Sequence, residues 1–189
     1  MQTALQLGDT LLVEAGTDQV SAAQIRRGLE RRYRQGWHVL HEVANHLGWL
    51  PSAASVALGA GDESKRYLDT VAVGLFRSTD YQILGHEIKV SRADWRAELR
   101  NPRKGKAFEG LVSGFYVVAP KDVVRDDELP DGWGSLVWYP SQIRVARHPT
   151  IRDIVAPRSW VASLLARAVN PKCRPEKPVD TNRNIGEGT

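Results

Sequence analysis

The spacing of apolar residues predicts a helix over residues 21–35 of this chain. Its apolar positions recur with the helical period and are Ala22, Ile25, Leu29 and Tyr33. Ser21 followed by Gln24 resembles a capping box, which satisfies free backbone N–H groups at the start of a helix. Gly36 is expected to end the helix.

Shorter apolar stretches predict five strands, over residues 37–43, 67–75, 81–90, 115–119 and 135–139. Residues 77–80 are interpreted as the turn that joins the second and third strands. In the third strand, apolar residues occur on both alternating faces, one beginning at Ile83 and the other at Leu84. Such a strand is typical of the middle of a sheet that is covered on both sides.

Three further helices are predicted over residues 91–99, 104–113 and 159–169. Trp95 and Leu99 share one side of the first of them. The residues expected to face inward in the other two are Ala107, Phe108, Leu111, Val112, Trp160, Val161, Leu164 and Leu165. Residues 45–64 have no regular pattern, and residues 130–132 form a turn signal.

Composition indicates a single globular domain, because the hydrophobic fraction of 42% and six tryptophans exclude a disordered chain. We expect this domain at residues 19–170, after an N-terminal extension (1–18) that does not resemble a signal peptide and before a disordered tail (171–189). No apolar run approaches the roughly 18 residues that cross a bilayer, so no membrane is expected as a partner. The single cysteine, Cys173, cannot form an internal disulfide, which favours a reducing, cytoplasmic setting.

Two acidic residues and a lysine fall where neighbouring strands would bring them together. Glu87 and Lys89 alternate along the third strand and therefore share a face, and Asp69 on the preceding strand comes near Glu87 if the two strands form a hairpin. Such charges on one face are costly unless a ligand uses them. Mg²⁺ prefers carboxylate oxygens, and a lysine can position a water or stabilise charge on a phosphate.

Positive charge is concentrated directly after these residues. The basic residues between positions 92 and 106 are Arg92, Arg96, Arg100, Arg103, Lys104 and Lys106. Against them stand two acids, Asp94 and Glu98, so the surplus of six over two equals the +4 of the whole chain and the remainder is near neutral. We interpret the run as a ridge that binds DNA backbone phosphates. The alternative is a solvated helix face on which Asp94 and Glu98 offset the arginines.

An extended set of motifs resembles the PD-(D/E)XK nuclease superfamily. It comprises Asp69 and then Glu87-Ile88-Lys89 after an apolar strand, within the order helix, strand, strand, strand, helix, strand. The blocks Ser91-Arg92-Ala93-Asp94-Trp95 and Pro130-Asp131-Gly132-Trp133-Gly134 resemble its MmcB-like branch, which includes DNA-repair and phage-encoded proteins. The resemblance covers roughly residues 24–145 and departs from the superfamily pattern at Leu68, where proline is usual.

The resemblance implies a restriction-endonuclease-like α/β fold, a mixed β-sheet flanked by helices. It also implies Mg²⁺- or Mn²⁺-dependent hydrolysis of DNA phosphodiester bonds, in DNA repair or in phage DNA processing within the host cytoplasm. Asp69, Glu87 and the backbone carbonyl of Ile88 would hold the metal, and Lys89 would serve the attacking water. Glu42 is the candidate for a further acid that completes the metal shell or acts on the water, and Glu30 on the first helix competes with it.

Other interpretations stay open on the sequence alone. One alternative is that the charged set formed by Asp69, Glu87 and Lys89 is a structural salt-bridge cluster. If the set is structural, the chain is a DNA-binding or regulatory module that does not cut, or a protein that binds another protein. A homodimer would let so small a domain cut both strands, but the sequence leaves the oligomeric state open. Trp95 either stacks on a base or belongs to the core. Three histidines have a spacing that matches no zinc motif, namely His38, His41 and His46.

Overall fold

A computed structural model describes residues 20–45, 66–100 and 103–170, with the backbone alone at residues 103 and 104. The predictions for residues 1–18, 46–64 and 171–189 lie outside these ranges. No helix within the described ranges is long and apolar enough to cross a membrane.

Within the described residues, six strands form one mixed sheet, and their order in space follows their order in the chain. They are β1 (Trp37–Ala44), β2 (Tyr67–Gly74), β3 (Ile83–Ile88), β4 (Gly114–Pro120), β5 (Gly134–Tyr139) and β6 (Gln142–Arg147). β1, β2 and β3 are antiparallel, β3, β4 and β5 are parallel, and β6 is antiparallel to β5. β3 therefore lies in the middle of the sheet, as its two apolar faces predict.

Four α-helices accompany the sheet in the described ranges: α1 (Ala22–Arg32), α2 (Arg92–Arg100), α3 (Arg103–Phe108) and α4 (Arg158–Val169). The capping box of α1 is confirmed. The Gln24 N–H donates to Ser21 Oγ at 3.3 Å, and the Ser21 N–H donates to Gln24 Oε1 at 2.7 Å. Two backbone donors are thus satisfied at the start of α1.

Different helices cover the two faces of the sheet. On one face α1 buries Ile25 and Leu29 completely against residues of the strands. On the other face α3 and α4 contribute Phe108 and Trp160, and α2 contributes the fully buried Trp95. Complete burial of side chains of this size stabilises the fold by roughly 1.5–3 kcal/mol each. Helices on both sides of a mixed sheet confirm the predicted α/β fold class.

Backbone conformation shortens two predicted elements. The helix predicted over residues 104–113 ends at Phe108, because Gly110 has a φ of 84° that no α-helix contains. β3 begins at Ile83 rather than at residue 81, because Asp80 and Tyr81 have φ values of 48° and 51°.

One prediction about burial is wrong, and one strand was not predicted. Leu165 was expected to face inward from α4, but it is 62% exposed, since Trp160 and Leu164 fill the contact with the sheet. The sequence analysis does not predict β6, and within this edge strand Ile143 alone is buried. Ile143 and Val145 alternate with polar residues over only four positions, which is at the lower limit for recognising a strand.

Candidate active site

The carboxylate of Asp69 binds the backbone between Glu87 and Lys89. Its Oδ2 accepts a hydrogen bond of 2.8 Å from the N–H of Ile88. The contact lies where the backbone ladder between β2 and β3 ends, so the side chain satisfies a donor that the ladder leaves free. The structure thus brings Asp69 to the Glu-x-Lys segment, as the predicted hairpin requires.

Lys89 lies between two buried carboxylates. Its Nζ is 2.9 Å from Glu87 Oε1 and 2.8 Å from Glu98 Oε2. The side chains of Lys89, Glu87 and Glu98 are 6%, 1% and 8% exposed. Burial acts to lower the pKa of Lys89, but the charges and hydrogen bonds of the two glutamates outweigh it and raise that pKa above its usual range. Lys89 is therefore an ammonium ion at neutral pH.

Glu98 is a site residue that the sequence interpretation missed. Its side chain points to Lys89 and is nearly buried, so it does not belong to a solvated helix face. Glu98 follows the buried Trp95 by three residues, which places both on the inward side of α2. That spacing is the signal by which it could have been found. Its second oxygen, Oε1, is buried and makes no hydrogen bond to any described residue.

Arg26 on α1 joins Glu42 to Asp69. Its Nη1 lies 3.1 Å from Glu42 Oε1, and its Nη2 lies 3.6 Å from Asp69 Oδ1. The sequence interpretation assigned no role to Arg26. Its role depends on how α1 packs over the ends of β1 and β2, which the sequence of α1 does not reveal.

Glu42 has an unusual backbone conformation. Its φ is 53°, in the left-handed region, and Arg167 of α4 donates to its carbonyl at 2.9 Å. Non-glycine residues in such conformations cost of order 1–3 kcal/mol and cluster at functional sites. The competing acid, Glu30, instead binds His41 Nε2 at 2.9 Å. Of the two candidates, Glu42 is the one linked to Asp69.

The charge around Asp69 and Lys89 suits a divalent cation. The carboxylates of this region are Glu42, Asp69, Glu87, Asp94 and Glu98, since Asp94 Oδ1 also lies 3.9 Å from Lys89 Nζ. Five carboxylates against Arg26 and Lys89 leave a net charge of −3. Asp69 is 27% exposed, so one ligand can be reached from solvent. In the part of the chain that the structure describes, no three His, Cys, Asp or Glu side chains are grouped to hold a metal.

The side chains of the predicted DNA-binding ridge differ in their surroundings: some are exposed to solvent, and Arg92 is paired within the protein. Arg96, Arg100 and Lys106 are exposed, whereas the side chains of Arg103 and Lys104 lie outside the described part of the structure. Arg92 forms a two-point ion pair with Glu128. The guanidinium of Arg92 is therefore bound to Glu128 and is not free to bind a phosphate.

The Arg92 and Glu128 pair anchors the segment after β4 to α2. Arg92 Nη1 also donates to the Val123 carbonyl at 3.0 Å, and its hydrogen bonds hold the pKa of Glu128 at about 2. Trp95 Nε1 donates to Glu128 Oε2 at 3.1 Å. Trp95 is wholly buried and so belongs to the core rather than to a base-stacking surface.

On the other side of β3, His86 is a neutral core residue. Its Nε2 lies 2.9 Å from the Tyr33 hydroxyl, and its ring stacks on Tyr116 with centroids 5.6 Å apart. Complete burial lowers the pKa of His86 to about 3. This histidine holds α1 against the strand that carries Glu87, and it carries no charge at neutral pH.

Comparisons with known proteins show the fold and nothing beyond it. No family model matches the chain, and no curated protein matches it. A solved structure from Silicibacter pomeroyi, described as the SPO1766 protein of unknown function, is similar with a TM-score of 0.56 and 16% sequence identity. The match covers 80% of this chain and 86% of that chain. It supports the α/β architecture, while the resemblance to PD-(D/E)XK nucleases stays a prediction.

Proposed function

We propose that this chain is a metal-dependent nuclease that hydrolyses DNA phosphodiester bonds. The observation that carries the proposal is the hydrogen bond from the Ile88 N–H to Asp69, which places a carboxylate against the backbone between Glu87 and Lys89. Replacing a buried ion pair by apolar residues is often neutral or stabilising. The charged residues at the end of β3 are therefore better explained by a ligand than by stability.

A cation is needed before an anionic phosphate can approach this site. The net charge of −3 around Asp69 and Lys89 repels phosphate, and one Mg²⁺ or Mn²⁺ would reduce that charge to −1 and give a phosphate oxygen a direct cationic contact. Asp69, Glu87 and the Ile88 carbonyl are the oxygen donors proposed to hold it. When bound, such an ion neutralises the scissile phosphate and lowers the pKa of a water.

Lys89 acts in this proposal as a fixed positive charge. Because Glu87 and Glu98 hold it as an ammonium, it has no free electron pair and does not serve as a general base. It donates hydrogen bonds to the attacking water or to a phosphate oxygen, and it stabilises charge that develops there. The two glutamates determine its position.

The exposed side chains Arg96, Arg100 and Lys106 follow this site directly in the chain. Exposed cations contact DNA phosphates and fix the register of the duplex without reading bases. We therefore propose that they hold the backbone beside the scissile bond. Arg92 would contribute indirectly, through its pairing with Glu128.

A second candidate function is a DNA-binding module that does not cut. It is favoured by the internal pairing of the site: Lys89 is held by two carboxylates, and Arg26 lies between Glu42 and Asp69. A self-contained network of this kind needs no metal. The two candidate functions differ in the role of Asp69 and Lys89: a nuclease needs both residues for cleavage, whereas a binding module needs them only for folding.

Cleavage of a panel of labelled DNAs tests the proposal. The panel contains duplex, single-stranded, flap and four-way-junction DNA, each incubated with Mg²⁺, Mn²⁺ or EDTA. Lys89→Ala removes the single cation between Glu87 and Glu98 and lowers stability as well, so Asp69→Asn is run beside it, with Asp153→Asn as an exposed control. Metal-dependent cutting lost in Asp69→Asn and kept in the control supports the nuclease. Binding without cutting, equal in all variants, supports the module instead.

A further inference from the structure

A cavity of about 290 Å³ opens at the end of the sheet where β4 and β5 begin. Its aromatic walls are Phe108, Phe115 and Trp133. Phe108 and Phe115 are buried, and Trp133 is partly exposed. Pockets that bind small molecules have volumes of roughly 300–1,000 Å³ and mostly apolar walls. The size and the lining of this cavity therefore suit a single flat ring system.

The indole of Trp133 has a fixed position in the cavity wall. Its ring centroid lies 4.1 Å from that of Phe115, with the two planes tilted by 42°. A Cβ added at Gly105 of α3 would approach Trp133 Cζ2 to 2.5 Å, so the indole packs directly on the backbone of that helix. Glycine is unfavourable inside a helix, and this close contact explains why it stands here. An aromatic ring that is already ordered loses little conformational entropy when another ring binds beside it.

Polar groups of both charges line the mouth of the cavity. Lys106 and Asp131 are exposed there, and neither forms an ion pair with a described residue. Arg152 also lines the cavity and forms an ion pair with Glu109. Aromatic walls next to hydrogen-bond donors and acceptors match a nucleobase, which has flat π-faces and a polar edge.

The cavity and the candidate site lie on the same face of the sheet. Glu87 is paired with Val117 where β3 meets β4, and Phe115 precedes Val117 by two residues. Glu87 binds the lysine that α2 covers, and Phe115 packs with Phe108 of α3. Two strand residues span roughly 7 Å. Since Lys106 is also one of the exposed cations proposed to hold the DNA backbone, a strand held there has a base within reach of the cavity.

We propose that this cavity binds an unpaired base of the DNA strand, an inference that rests on the proposed nuclease function. A base inside a duplex is paired and stacked, so it has to be extruded before it can enter a pocket, whereas an unpaired base does not. The cavity therefore favours single-stranded, flap or mismatched DNA over intact duplex. Stacking on aromatic rings tolerates every base, so the selection is for unpaired structure rather than for sequence.

Binding of two labelled strands of equal charge tests this inference, measured by fluorescence anisotropy in EDTA so that no metal-dependent cleavage occurs. One strand has about twelve thymine bases, a length within the usual range of binding sites, and the other is the same deoxyribose-phosphate chain without bases. Stacking of one base should make the wild type bind the first strand about tenfold more tightly. Equal affinities of the wild type for the two strands would overturn the inference.

Two variants locate this preference for bases in the cavity. Thr150→Trp fills the cavity from an exposed position of its lining, and Trp133→Leu removes an aromatic wall. Both should lose the preference and keep the affinity for the strand without bases. The matched control, Ser141→Trp, adds the same indole at the exposed turn between β5 and β6 and should keep the preference. A wild-type preference in both cavity variants would overturn the inference.

Two further arms separate this inference from a free nucleotide and from the proposed function. Thymidine monophosphate lacks the neighbouring phosphates, so it should bind more weakly than the strand, and equal affinities would assign the cavity to free nucleotides and overturn the inference. Cleavage is assayed separately with metal. A wild type that cuts but shows no preference for bases leaves the nuclease and removes the base-binding cavity. A preference that Thr150→Trp abolishes, in a wild type that never cuts, leaves the cavity and removes the nuclease.

Discussion

The ammonium of Lys89 lies 2.8 Å from the carboxylate of Glu98, a residue nine positions later in the chain. With Glu87 at 2.9 Å on the other side, one cation balances two buried anions. The Lys89–Glu98 ion pair connects the end of β3 to the last turn of α2, the helix that covers it. Both the stability of the domain and the position of the lysine therefore depend on Glu98.

Removal of the lysine is expected to destabilise the domain. Lys89→Met leaves Glu87 and Glu98 buried without a cation, and the loss of one partner from a buried pair costs about 3–5 kcal/mol. The free energy of unfolding, measured by urea denaturation at neutral pH, gives the value. Lys106→Met, at an exposed position of α3, should change it by less than about 0.5 kcal/mol. Equal stabilities of the two variants would show that the buried cluster is not formed.

Loss of Glu98 is expected to affect turnover more than substrate binding. Glu98→Ala frees one side of the Lys89 ammonium, and misplacement of a catalytic group by about 1 Å costs roughly 10²-fold in rate. Glu98→Gln keeps the volume and a hydrogen-bond acceptor, so it should recover part of the rate. Steady-state kinetics on the preferred DNA would show a lower kcat with a nearly unchanged KM. A Glu98→Ala protein that turns over like the wild type would exclude a positioning role.

Divalent metal is expected to stabilise the folded protein through Asp69. A ligand that binds only the folded state adds about 2.7 kcal/mol at a concentration a hundredfold above its Kd. Titration with Mn²⁺ should therefore raise the Tm of the wild type, and EDTA should reverse the rise. Asp69→Asn should lose the effect, while the exposed control Asp153→Asn keeps it. An identical rise in both variants would place the metal elsewhere.

Stability is expected to fall in mild acid because of His86. Burial lowers its pKa to about 3 in the folded state, while an unfolded histidine titrates near 6.5. Between these values the unfolded chain binds the extra proton, so stability is complete above pH 6.5 and decreases as the pH falls toward 3. The decrease is about 1.4 kcal/mol per pH unit from this group.

The variant His86→Gln isolates that contribution. It removes the titrating group, so the difference in unfolding free energy between wild type and variant should shrink as the pH is lowered from 7 to 5. Urea denaturation of both proteins at several pH values between 7 and 5 measures this difference in unfolding free energy. A constant difference would mean that His86 titrates at its ordinary pKa in the folded protein.

The sequence predicts the part of the site that depends on local geometry. Alternation along a strand fixes Glu87 and Lys89 on one face, and an antiparallel hairpin brings Asp69 to the same end of the sheet. These relationships involve neighbouring strands with short connections. The fold class follows from the same pattern of strands and helices, and the structure confirms it.

The relationships that the sequence does not reveal depend on how helices pack. Glu98 faces the lysine because Trp95 turns that side of α2 toward the sheet, and Arg26 reaches Asp69 because α1 crosses the ends of two strands. β6 itself escapes recognition because its alternation covers only four residues and has two inward positions, Ile143 and Val145.

The proposed nuclease function requires Asp69 to hold a metal ion during hydrolysis of DNA. Its most direct test is the single-turnover cleavage rate of the preferred DNA in Mg²⁺ or Mn²⁺ for the wild type, Asp69→Asn and Asp153→Asn. We expect the wild type and the Asp153→Asn control to cut. We expect a rate lower by ~10²-fold or more in Asp69→Asn, with DNA affinity in EDTA unchanged in all three. Cutting that persists in EDTA, or an Asp69→Asn protein that cuts at the wild-type rate, would contradict the proposed function.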